Sequence, residues 1–243
     1  MQVTCNEIFS SVQGEGPLVG QRQIFLRLAG CNWSCRYCDT PVNAEPWCRV
    51  EKTPGSREFF HVPNPLDPAD VARLVKAYKP WLHHSISITG GEPLLHVDVL
   101  LELIPKLPAT RRGIFLETNG TLPEALEELI DLVDFISMDV KLANTGRSTP
   151  WAEHKRFISV AAKRRLMVKT VISSDTDPAE IMETAQIIAA TDKRIPFILQ
   201  PVTAVGNVRP AGNKTLLQLQ ENALRFLSDV RVIPQTHMAM NFL

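Results

Sequence analysis

Short, mostly apolar runs alternate along this chain with longer stretches in which apolar positions recur every three or four residues. Residues 23–28 (QIFLRL), 85–89 (SISIT), 113–118 (GIFLET), 134–140 (DFISMDV), 166–172 (LMVKTVI), 197–202 (FILQPV) and 230–234 (VRVIP) read as strands. Helical spacing marks 97–107, 122–132, 151–163, 178–190 and 213–227 between them, and Pro178 suits a first helical turn. Repeated β–α units with apolar strands predict an α/β fold, a parallel sheet with helices outside. Crossovers of that kind are right-handed, so six or so units curve into a partial (β/α)6-type TIM barrel. The 243 residues read as one domain, somewhat short for the usual eight-unit barrel of about 250 residues. Segment 41–68 breaks the rhythm: it holds six of the 18 prolines and shows neither helical nor strand periodicity. Long irregular loops are often functional, so a cover over a site and a plain surface excursion both remain open.

Composition narrows the class. Hydrophobic residues make up 44% and charged residues 21%, enough for a real core in an ordinary globular protein. Lys plus Arg and Asp plus Glu balance at 26 each, which argues against nucleic acid or an anionic membrane as the main partner. The first residues show neither a basic n-region nor an apolar h-region, and no apolar run approaches the length of a membrane span. Unpaired cysteines then suggest a reducing cytoplasm.

Ligands of parallel α/β sheets gather at the carboxyl ends of the strands, and unusual polar residues occupy those ends here. Gly30 to Cys38 follows the first predicted strand, and Thr89-Gly90-Gly91-Glu92-Pro93 the second. Glu117-Thr118-Asn119-Gly120-Thr121 follows the third, Asp139-Val140-Lys141 ends the fourth, Lys169 lies in the fifth and Gln200 ends the sixth. Any one could be a turn or a helix cap, but six at one rim converge.

Cys31-x3-Cys35-x2-Cys38 is the most specific of these. Thiolates normally hold all four irons of a 4Fe–4S cubane, so three in one loop leave one iron open. An open position is what a reactive metal site needs. A zinc ribbon would need a second Cys pair, and five cysteines suit no disulfide framework. A closed cluster with Cys48 as fourth ligand, serving electron transfer, stays possible, although Cys5 and Cys48 read as ordinary thiols. The Gly90-Gly91 pair lets backbone approach a ligand, and carbonyls with Glu92 can accept hydrogen bonds from an ammonium. It lacks the Lys-Ser/Thr ending of a phosphate-binding loop.

The cysteine loop followed by Gly-Gly-Glu-Pro resembles the radical S-adenosylmethionine (SAM) superfamily, whose open iron binds SAM and whose cluster electron generates a 5′-deoxyadenosyl radical. Within it, Asn6 to Gly16, Phe25 to Cys31, Cys38-Asp39-Thr40, Glu117 to Thr121 and Val232 to His237 resemble the 7-carboxy-7-deazaguanine synthase family over nearly the whole length. That resemblance implies contraction of 6-carboxy-5,6,7,8-tetrahydropterin to 7-carboxy-7-deazaguanine with loss of ammonia. The radical would take hydrogen from C6 and return it, regenerating SAM. It implies a cluster on Cys31, Cys35 and Cys38, and Mg²⁺ on Thr40, a hard oxygen donor. Val12, Gln13, Gly14, Arg27 and Thr89 match pterin contacts, Arg27 being suited to a carboxylate but also able to pair with Glu15 or Glu92. Tyr37, Asp39, Gly91, Glu92, Glu117, Asn119, Ser137, Asp139, Lys141 and Gln200 are assigned to SAM, and Leu243 to a carboxylate contact with substrate. An electron donor such as flavodoxin or ferredoxin and a homodimer are also implied. A glycyl-radical activase is the rival enzyme reading, but the 13–16 hairpin and Arg27 favour a small acid.

Overall fold

The computed structural model describes residues 1–243. Ten strands form one sheet in the order β10-β9-β8-β7-β6-β5-β2-β1-β3-β4. Strands β2 (Arg22–Leu28), β5 (Ser85–Gly90), β6 (Ile114–Thr118), β7 (Phe135–Asp139), β8 (Arg165–Ile172), β9 (Phe197–Pro201) and β10 (Val230–Val232) pair in parallel as neighbours. Helices α2 (Val97–Leu103), α3 (Pro123–Leu129), α4 (Trp151–Ala161), α5 (Pro178–Asp192) and α6 (Asn213–Leu224) make the crossovers between them. A short α7 (Thr236–Ala239) follows β10. The arc stays open, since β10 and β4 end the sheet without pairing.

Successive side chains on a strand point to opposite faces, and here that alternation divides labour. Ile24, Leu26, Ile86, Ile88, Leu116, Ile136, Met138, Val168 and Leu199 face the helices and form the main core. Their neighbours Phe25, Arg27, Thr89, Glu117, Ser137, Asp139, Lys169, Val171 and Gln200 face the concave side and line a cavity. Burying an aliphatic side chain contributes about 1.5–3 kcal/mol, so the outer face fixes the register that aims the inner one.

Two expectations need correction at the N-terminal side. β1 (Cys5–Val12), not predicted as a strand, pairs antiparallel with β2, and Phe9 stacks on Phe25 at 5.0 Å. Segment 41–68 is not irregular throughout: β3 (Trp47–Glu51) and β4 (Phe59–Pro63) form a hairpin that adds to β1, and α1 (Pro68–Lys76) starts at its last proline. Only Cys48, Val50 and Glu51 of β3 are buried, and no residue of β4 is, so the pattern was too short and exposed to register.

Candidate active site

The concave face encloses a cavity of about 540 Å³, walled by the carboxyl ends of β2 and β5–β9, the cysteine loop and the C-terminal tail. Cys31, Cys35 and Cys38 open onto it, Cys31 and Cys35 half-buried and Cys38 exposed. The loop is held from across the site. Arg36 donates to the Asn144 carbonyl at 2.9 and 3.1 Å and to Asp175, and its own N–H bonds the Thr145 carbonyl. Trp33 Nε1 donates to Thr145 Oγ1 at 3.2 Å, and Arg147 lies over the Trp33 ring. Burial raises the Cys31 thiol and pushes Cys35 up to about 11, so metal capture as thiolate must release protons. No three His, Cys, Asp or Glu side chains close on a single ion. Three thiols on one loop suit a polynuclear cluster in which each thiolate takes its own iron. Cys5 and Cys48 are buried in β1 and β3, away from the cavity.

Gly91 brings β5 against the cysteine loop. A Cβ there would overlap the Gly30 carbonyl oxygen and stand 2.8 Å from the Cys31 Cβ. Glu92, assigned to SAM from sequence, does not reach the cavity and is fully buried. Its carboxylate accepts from Leu94 N at 3.0 Å, Thr118 Oγ1 at 2.8 Å and Asn119 N at 2.7 Å. With its acceptor capacity turned to the protein, it ties the loop after β5 to the loop after β6.

A charged ladder crosses the floor. Lys141 reaches Asp139 Oδ2 at 2.9 Å, Lys169 lies 3.6 Å from the same oxygen, and Lys169 also bonds Glu15. Gln200 and Gln235 donate to Glu15 at 3.1 and 3.0 Å, and Gln235 donates to Asp39 at 2.9 Å. Burial raises the Glu15 carboxyl, but the Lys169 ammonium and these donors outweigh it and hold it at about 2. Burial disfavours charge on Lys141 and Lys169 as well; Asp139 and Glu15 more than offset it. Five buried polar side-chain atoms have no protein partner, and three of them belong to this floor: Tyr37 OH, Asp139 Oδ1 and Gln200 Oε1. Unpaired buried groups cost about 1–3 kcal/mol each, and all three belong to residues lining the cavity. Donors and acceptors of this kind fit a nucleoside's hydroxyls and an amino acid's ammonium.

At the other end, Gln13 Nε2 donates to Glu117 Oε1 at 3.0 Å, and Ser87 and Thr89 donate to the same carboxylate. Glu117, grouped with SAM from sequence, therefore sits with Gln13 and Thr89. Arg27 pairs with neither Glu15 nor Glu92; its Nε donates to Glu7 Oε2 at 2.9 Å. The tail closes this side: Thr236 N bonds the Gly14 carbonyl at 2.9 Å, and Ser11 Oγ bonds the Leu243 carbonyl at 3.1 Å. A Cβ on Gly14 would meet the His237 side chain at 2.6 Å or closer, so glycine there makes room for the tail.

The sequence profile of the radical SAM superfamily matches residues 26–186. A 7-carboxy-7-deazaguanine synthase of Geobacter sulfurreducens is 47% identical over 240 residues, spanning 96% of this chain and 95% of that protein. The chain belongs to the 7-carboxy-7-deazaguanine synthase family of radical SAM enzymes. A second such synthase, from Methanothermobacter thermautotrophicus, is 33% identical across 99% of this chain and 98% of its own length. The crystal structure of QueE from Escherichia coli matches with a TM-score of 0.54 at 20% identity over 98% and 95% of the two chains. A radical SAM methyltransferase from Sphaerobacter thermophilus gives 0.53 at 12% identity over 88% of this chain and 66% of that one, and both likenesses show the fold. A 4Fe–4S cluster and SAM are the cofactors of the radical SAM superfamily. No helix is long and apolar enough to cross a membrane.

Of the residues assigned from sequence, the synthase fold gathers all but Glu92 around one cavity. Sequence reasoning missed Glu15 and gave Lys169 no role, although a lysine inside the apolar run 166–172 was a visible signal. It gave no role to Glu7 or His237, although both lie in stretches that carry the family resemblance, and it missed Arg49, Val171, Val202 and Phe242, which no local pattern marks.

Behind the site, buried His154 Nε2 bonds the Asn119 carbonyl at 3.2 Å while Nδ1 has no partner. The carbonyl can only accept, so Nε2 carries the proton. Burial lowers His154 to about 4 from an ordinary 6.5, so between those values the unfolded chain binds a proton that the folded one does not. Stability from this group is complete above pH 6.5 and is lost as pH falls towards 4, by up to about 3 kcal/mol. Urea unfolding across that window is expected to show a flatter pH slope for His154→Leu; an unchanged slope would locate the acid sensitivity elsewhere.

Proposed function

We propose that this chain contracts 6-carboxy-5,6,7,8-tetrahydropterin to 7-carboxy-7-deazaguanine with loss of ammonia, a step toward queuosine and related 7-deazapurines. The observation that carries this reading is the near-full-length likeness to curated synthases, 47% in the first case. One cavity presents the cysteine loop and the Gln13–Arg27 side together, as such chemistry requires. Cys31, Cys35 and Cys38 hold the cluster. Tyr37, Asp39, Gly91, Asn119, Ser137, Asp139, Lys141 and Gln200 surround SAM, the unpaired Asp139 and Gln200 oxygens accepting from its polar groups. When bound, cluster and SAM supply a deoxyadenosyl radical able to take hydrogen from pterin C6.

The chain's own part is binding, orientation and exclusion of water. Val12, Gln13, Gly14 and Thr89 line the pterin end, and Glu117 joins them as an acceptor for a ring N–H. Arg27 offers its two terminal nitrogens to the substrate carboxylate, because Nε alone is engaged by Glu7. The tail, ending at Leu243, shuts the mouth. A flavodoxin- or ferredoxin-type donor, a homodimer and a cytoplasmic location complete the proposal. The test is anaerobic incubation of reconstituted protein with SAM, dithionite and the carboxytetrahydropterin, followed by mass spectrometry. No 7-carboxy-7-deazaguanine would sink the reading.

Thr40 is proposed as the protein's ligand to Mg²⁺. Its hydroxyl lies at the mouth with a single weak partner, Asp39 Oδ1 at 3.2 Å, so substrate oxygens and water must supply the remaining donors. Thr40→Val is expected to keep cluster and SAM binding while turnover loses its response to added Mg²⁺. If Thr40 only closed the loop with that hydrogen bond, worth about 1 kcal/mol, wild-type Mg²⁺ activation would persist.

A further inference from the structure

Arg49 comes from the hairpin in segment 41–68, yet it lines the cavity beside Arg27. Strand pairing puts it there: Glu7 of β1 lies opposite Arg27 of β2 on one side and Arg49 of β3 on the other. The three side chains form a row. Glu7 Oε2 accepts from Arg27 Nε at 2.9 Å, and Oε1 forms an ion pair with Arg49 Nη1 at 3.0 Å. One carboxylate between two guanidiniums leaves the row with a net charge of one positive unit. Each guanidinium is braced on an aromatic face, Arg49 at 4.2 Å from the Phe59 centroid and Arg27 at 5.5 Å from that of Phe9. Asp39 on the facing loop accepts from Gln235 and Thr40 and pairs with neither arginine. The surplus charge is therefore available to an anionic ligand.

We propose that Arg49 is a second guanidinium for the substrate carboxylate, so that Arg27 and Arg49 together form an anion subsite with Glu7 as the spacer. This rests on the pterin reading of the cavity and extends it to the hairpin. Glu7 stands between the two guanidiniums, and the carboxylate of the ligand completes the alternation of charge along the row. Because Arg49 is half-exposed, it can be replaced without disturbing the core.

The test separates the carboxylate from the ring. Fluorescent 6-carboxypterin and pterin, which lacks the carboxylate, are titrated anaerobically into reconstituted enzyme holding SAM and Mg²⁺. Arg49→Gln is expected to weaken 6-carboxypterin about tenfold, as loss of a charge-assisted hydrogen bond does, while pterin affinity stays within about twofold. Arg49→Lys, which keeps the charge without the fork, should fall between. Unchanged 6-carboxypterin affinity in Arg49→Gln, or an equal loss for both ligands, overturns the inference and leaves the pterin reading standing. A wild-type enzyme that binds both equally also overturns it. Failure of the wild type to bind either would remove the pterin reading, and this inference with it.

Discussion

Cys35→Ala is expected to yield protein that retains far less than one cluster per chain and no longer cleaves SAM, whereas Cys48→Ala keeps full iron and turnover. The contrast follows from placement. Cys35 opens onto the cavity between Cys31 and Cys38, in a loop pinned by Arg36 and Trp33 to residues 144 and 145. Removing one of three thiolates leaves two irons without a protein donor, and neither Cys5 nor Cys48 can replace it from inside the sheet. Cys48 is wholly buried on β3, with its sulfur turned to Cys5 and the backbone. Losing it removes one small apolar group, a cost of about 1 kcal/mol in stability and none in cluster binding. Iron and sulfide analysis after anaerobic reconstitution, with the charge-transfer absorbance, decides. Loss of the cluster in Cys48→Ala would favour a closed site with four protein ligands.

Gly91→Ala should be nearly as damaging, although it adds one methyl group. The new Cβ would collide with the Gly30 carbonyl, a backbone atom that cannot swing aside as a side chain can. The two segments are also bonded, Gly91 N to the Leu28 carbonyl at 3.3 Å and Glu92 N to the Gly30 carbonyl at 2.9 Å. Relief of the clash must move either the end of β5 or the first turn of the cysteine loop. Overpacking of this kind costs about 1–3 kcal/mol, which lowers Tm by roughly 2–12 °C in a protein of this size. A misplacement near 1 Å at reacting groups costs about a hundredfold in rate, and that is the expected loss of turnover. Gly212→Ala is the control, since nothing lies within 4 Å of its Cβ and its φ of −69° suits any residue. Wild-type turnover in Gly91→Ala would show that the loop has slack.

What was legible in the sequence follows from how each part is stabilised. The parallel strands and their helices announced themselves because burial on the helix-facing side demands a regular apolar pattern. The cysteine loop and the residues at strand ends were legible because polar groups at those positions interrupt that pattern. β1 was hidden by polar residues such as Ser11 within it and Gln13 just past its end, which are satisfied by partners far along the chain, Leu243 and Glu117. Glu92 misled for the opposite reason: a carboxylate beside two glycines suggests a ligand contact, and only three dimensions show Thr118 and Asn119 occupying it. Arg49 and His237 reach the cavity through sheet pairing and tail docking, long-range events without a local signal.

The open sheet also bears on the order of assembly. From β5 to β10 each strand finds its parallel neighbour after one short crossover, for instance residues 91–113 between β5 and β6. Strand β2 must instead close residues 29–84 before it meets β5, and it brings β1, β3 and β4 with it. Loop closure grows costlier with length, so this block is expected to dock late, on a half-built arc. The cysteine loop lies at that seam, between β2 and the segments after β6 and β7 that grip Asn32 and Arg36. A nascent chain would then hold its three thiols in an accessible, unpinned loop until nearly the end of folding, which gives a cluster-delivery system its interval to act before the tail draws across the mouth.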